Sequence, residues 1–88
     1  MPNARTQDEI WGVLFDAYVT TYEELPRQFR PETRIREDLR IQESDQVYVL
    51  DWMHETAKRL AINERDLPKP RAGRDYTLAE IAGAFMIA

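Results

Sequence analysis

Cysteine is absent from the 88 residues, and histidine occurs once, at His54. Without cysteine there is no disulfide framework, no thiolate zinc site and no cysteine nucleophile. A single histidine excludes a multi-histidine metal site within one chain. A long apolar run is also missing. The longest, Ile81 to Ala88, falls far short of the about 20 residues that cross a bilayer, so no membrane role is expected. The opening MPNARTQDE is polar and has no apolar stretch of the kind a secretory signal needs. Cytoplasm is the expected compartment. Net charge is −4, which argues against a nucleic-acid backbone as partner. Apolar residues make up 43% of the chain, so in a chain this short most of them must enter one cluster. The expectation is a single domain over residues 1–88.

What is present is helical signal. Thr6 stands three residues before Glu9, the spacing of a capping box, and predicts a helix over Gln7 to Tyr22. Ile10, Val13, Leu14 and Ala17 fall on one face of it. Trp11, Phe15, Tyr18 and Tyr22 form a second stripe. That stripe is either core covered by the loop that follows, or an aromatic strip serving a partner or a second copy. Gly12 weakens the helix and is a candidate close-packing point.

From Glu23 to Arg40 the pattern breaks into a long charged loop with Pro26 and Pro31, and Ile35 and Leu39 are its expected apolar pins. A second helix is predicted from about Ser44 to Ala61. Val49, Leu50, Met53, Ala57 and Leu60 make its core stripe, with Ser44, Val47, Tyr48, Asp51 and Glu55 mainly opposite. Asn63 to Asp75 reads as a loop with at most one short turn near Glu64–Leu67. Its bases Arg65, Lys69, Arg71 and Arg74 either offset acidic neighbours or hold an anion. Thr77 and Glu80 form a second capping box, and the last helix buries Leu78, Ile81, Ala82 and Phe85. No segment alternates as a strand. The predicted class is all-α: three main helices, with room for at most a short fourth, and a long loop after the first.

Three features then line up: the loop RPETRIREDLRI, an acidic helix directly after it, and a closing helix that begins TLAEI. This resembles the acyl carrier protein family over about the last 80 residues. Ile35, Asp38, Leu39, Asp45, Val47, Val49, Leu50, Met53, Thr77 and Leu78 take the matching positions. The chain departs from the family at the attachment motif. Arg40 stands where the family has glycine, Gln42 where it has aspartate, and Glu43 where it has the modified serine. Ser44 comes one residue late. Bacterial carrier-like proteins that keep the Asp-Leu pair and replace the serine are the most similar in this respect.

The resemblance implies a 4′-phosphopantetheine arm as cofactor, with Ser44 as its candidate attachment point. A helix start suits the phosphate of such an arm. The plain alternative for Ser44 is a helix N-cap. The resemblance also implies partner enzymes with a basic docking surface, contacting Asp45, Val47, Tyr48, Asp51 and Glu55. The same residues in a chain without an arm would make a non-covalent interaction module, monomeric or weakly dimeric. No catalytic set accompanies His54, which reads as a surface residue, and neither an enzyme nor a metal site is expected. YTLAEIAGAF resembles the first helix of a helix-turn-helix, but no recognition helix follows it before Ala88.

Overall fold

The computed structural model describes residues 6–86. The polar start at 1–5 and the end of the apolar run, Ile87 and Ala88, lie outside the described residues. Three α-helices are present: α1 (Gln7–Tyr22), α2 (Gln46–Leu60) and α3 (Leu78–Met86). One-turn 3₁₀ segments occupy Glu43–Asp45 and Glu64–Asp66. There is no fourth α-helix and no strand among the described residues. One isolated bridge joins Arg34 to Thr77.

Local signals set the helix ends. The Glu9 amide donates to Thr6 Oγ1 at 3.1 Å and starts α1. The C-terminus of α2 is a Schellman turn: Ile62 N donates to Ala57 O at 2.9 Å and Ala61 N to Lys58 O at 3.3 Å. The second capping box forms in full. Thr77 N donates to Glu80 Oε1 at 2.9 Å, and Glu80 N donates back to Thr77 Oγ1 at 3.2 Å. That backbone donor, with Arg74 and the Thr77 hydroxyl, holds the Glu80 carboxyl below the usual carboxylate range.

The long loop completes α3. Leu78 N donates to Thr33 O at 2.8 Å and Ala79 N to Pro31 O at 2.9 Å. Amides at the start of a helix have no partner within it, so loop carbonyls satisfy them here. Ile35 and Leu39 are buried as expected, and Ile41 joins them. Phe29 covers the aromatic stripe of α1, its ring 4.7 Å from Trp11 and 5.1 Å from Phe15. The loop thus covers the first half of the stripe, while Tyr18 is buried and Tyr22 half-buried against Trp52 of α2. Gly12 does not serve close packing: a Cβ there would meet nothing within 4 Å.

The core face of α2 differs from the periodic reading in one respect. Leu50 is not in the stripe; it is 42% exposed. Trp52 takes the interior instead, fully buried, with Nε1 donating to Leu14 O at 2.9 Å. Thr56 is buried beside it and donates to Trp52 O at 2.8 Å. The helix is rolled towards its largest side chain. A buried indole removes the most apolar surface from water, and its N–H finds an acceptor on α1.

Arg36 ties the two loops to the start of α2. Its amide donates to Asp75 Oδ1 at 2.9 Å, Nε to Arg74 O at 3.0 Å, and Nη2 to Gln46 Oε1 at 3.2 Å. Gln46 in turn donates to Pro70 O at 2.9 Å.

Arg40 has φ of 61°, in the left-handed region. Its side chain is exposed and makes no hydrogen bond or ion pair. A Cβ in that region costs about 1–2 kcal/mol, whereas glycine adopts it freely. Arg40→Gly is therefore expected to stabilise the fold by about 0.5–1 kcal/mol after glycine's greater unfolded entropy is counted. Arg40→Ala should give no such gain. Paired urea unfolding curves check this, and equal midpoints for the two variants would count against it.

Candidate functional site

From Ile41 to Ala57 there is no lysine or arginine. The opening of α2 also presents large apolar side chains to solvent: Val47 at 57%, Tyr48 at 48% and Leu50 at 42% exposure. Residues three and four apart share a helix face. Ser44, Val47, Tyr48 and Asp51 therefore form one surface, with Leu50 at its edge. Glu43 and Asp51 are exposed and Asp45 is half-buried; none of the three is in an ion pair. The surface is acidic and apolar at once.

Ser44 lies in the 3₁₀ turn before α2, exposed to solvent. It does not cap the helix. The Gln42 amide donates to Asp45 Oδ2 at 3.4 Å, Asp45 N donates to Gln42 O at 2.9 Å, and the Ser44 hydroxyl makes no hydrogen bond. The extra turn displaces the start of α2 past Ser44, so its Oγ has no N–H of the helix to accept.

Glu55 is set apart from the other acids. It is half-buried and accepts from Arg59 Nε at 2.8 Å, a bond that lowers its pKa. The Arg59 guanidinium also reaches Thr20 Oγ1 at 2.9 Å, so this pair joins α2 to α1.

His54 is exposed and pairs with Glu64 of the second 3₁₀ turn. No group of three or more metal-binding side chains occurs among the described residues. Among the described residues, the second-loop base in an ion pair is Arg74, with Glu80 at 2.6 Å, and it also lies over the Tyr76 ring at 4.8 Å. No helix among the described residues is long and apolar enough to cross a membrane.

Two residues at this surface escaped the sequence pattern. Spacing puts Leu50 in the core because Leu50 and Trp52 flank the same stripe, and periodicity does not choose between them. Tyr22 is the other. Its hydroxyl is buried without a hydrogen bond. Burial pushes its pKa up, and Tyr18, Asp45 and Asp51 add to the effect. Spacing places it in the aromatic stripe of α1, but not its buried hydroxyl or its acidic neighbours, since these come from the opposite end of a loop.

Neither a protein-family model, nor a curated protein, nor a solved structure matches the chain. The likeness to acyl carrier proteins rests on the residues named above.

Proposed function

We propose that this chain is an acyl-carrier-like protein of the cytoplasm. It presents an acyl group on a 4′-phosphopantetheine arm at Ser44 to enzymes that dock on the opening of α2. One observation carries the reading: Ser44 is exposed immediately before α2, and its hydroxyl is free of the cap. A phosphodiester there would sit at the amino end of the helix, where the dipole favours negative charge. The arm supplies the thiol that holds the acyl group, and the chain supplies position and contacts. Arg40 adds support, since its left-handed backbone stands where the family has glycine. Val47, Tyr48 and Leu50 supply the apolar part of the docking surface. Glu43, Asp45 and Asp51 supply charge that favours a partner with a basic rim.

A second reading has its own observation. Glu43 holds the register position of the modified serine, and Glu43 and Asp45 flank Ser44 with charge that opposes a phosphate. This favours a non-covalent interaction module that uses the same face without an arm.

Intact mass separates the two. With coenzyme A and a transferase of broad specificity, the carrier gains about 340 Da, the mass of the arm, and Ser44→Ala gains nothing. An unchanged mass in the native chain leaves the interaction module. An equal gain in Ser44→Ala moves the attachment away from Ser44.

A further inference from the structure

A shallow cavity of about 300 Å³ opens where the carboxyl end of α1 meets the start of α2, lined by Thr21, Tyr22, Glu23, Asp45 and Tyr48. Two independent observations describe its chemistry. The first is aromatic. The Tyr22 and Tyr48 rings lie 6.1 Å apart at 41°, and Tyr48 is 48% exposed, so its ring remains open to a ligand.

The second is charge. Glu23 and Asp45 line the cavity, and neither is in an ion pair. No basic side chain lines it. The last turn of α1 has no basic residue of its own, and the guanidinium that reaches it, Arg59 at Thr20 Oγ1, does not line the cavity. Asp51 follows Tyr48 by three residues on the same side of α2.

We infer that this cavity receives the guanidinium group of an arginine side chain from a docking partner. A flat, delocalised cation stacks on a tyrosine face, and its fork of donors reaches carboxylates on two sides. A lysine ammonium is compact and strongly hydrated, and fits such a place less well. The inference rests on the docking role of the α2 surface. It requires no arm at Ser44.

The test is an NMR titration of the intact chain at low salt with N-acetyl-arginine methylamide. The lysine and citrulline counterparts serve as comparisons. The arginine probe is expected to shift the Tyr22 and Tyr48 ring signals and the Asp45 amide in a saturable way. The lysine probe should bind about 3-fold more weakly, and uncharged citrulline should give no shift. Tyr48→Leu and Asp45→Asn should each raise Kd roughly 5-fold, through loss of the ring face and of the charge. Both alter solvent-accessible side chains, so folding is expected to survive, and the dispersion of the amide spectrum reports it. Equal shifts with citrulline would overturn the inference. So would shifts that spread over the surface acids without saturating, or an unchanged Kd in both variants. The mass gain at Ser44 and the seating of this probe are read separately. Failure of the carrier reading and failure of this one are therefore distinguishable.

Discussion

Replacing Trp52 by alanine is expected to cost about 3–5 kcal/mol of folding stability, the usual range for a large aromatic removed from a packed core. Total stability for a small domain is about 5–15 kcal/mol, so this single change takes most of what the chain has. The indole is fully buried, and it meets Tyr18 at 5.2 Å and Tyr22 at 6.2 Å. Alanine leaves a void between α1 and α2 that the aromatic edges of α1 line. Trp52→Phe keeps a ring in the space and loses chiefly the bond to Leu14 O. It should cost about 1–2 kcal/mol, of which the hydrogen bond is about 1. Urea unfolding followed by far-UV circular dichroism gives both values. A loss below about 1 kcal/mol in Trp52→Ala would contradict the central place given to this residue.

Arg36→Met is expected to be the next most damaging change. Methionine keeps part of the apolar stem and removes every guanidinium contact. Lost are the bonds to Arg74 O at 3.0 Å and Gln46 Oε1 at 3.2 Å, and a longer one to Ile41 O at 3.4 Å. Hydrogen bonds from a charged donor contribute about 1.5–3 kcal/mol each at best. With Arg36 partly exposed, the expected total loss is about 2–3 kcal/mol. The effect should be local as well as global. Ile35 N and Ile41 N are held by Tyr76 O and Ile35 O, at 2.9 and 3.0 Å. Those bonds close the loop that Arg36 ties down. Their amides should exchange with solvent faster in the variant, while amides within α1 keep their protection relative to the global value. Unchanged protection at Ile35 and Ile41 would mean that the apolar pins alone hold the loop.

Under the proposed docking role this tie has a second consequence. Gln46 is the first residue of α2, and Arg36 and Pro70 O hold it from both sides. Ser44, Val47 and Tyr48 therefore stand on an anchored helix start. A surface that docks partners gains from such support, because less ordering is left for the moment of binding.

Much of the candidate surface was legible in advance. Val47, Tyr48 and Asp51 fall opposite Val49, Met53 and Ala57 by helix geometry alone, and the absence of bases in this segment is a plain reading of the residues. Ser44 was legible as a helix-start residue but not as one left outside the cap. Which residue caps depends on where the first full turn closes, and a 3₁₀ turn at Glu43–Asp45 moved that point. Glu55 counted as a free acid by position, yet its neighbour Arg59 holds it beside Thr20 of α1.

The chain's own residues determined its class and the starts of α1 and α3, because these depend on interactions three or four residues apart. Thr6 with Glu9 and Thr77 with Glu80 act over that range, and so does the apolar spacing of all three helices. Tertiary structure decided what depends on distant partners. Trp52 rather than Leu50 faces inward because the indole buries more apolar surface against α1 and its N–H can share Leu14 O there. The long loop keeps a defined course because α3 needs acceptors at its start and finds them at Pro31 and Thr33. Tyr22, Glu23, Asp45 and Tyr48 share one cavity because α1 and α2 pack side by side and bring together residues separated by that loop.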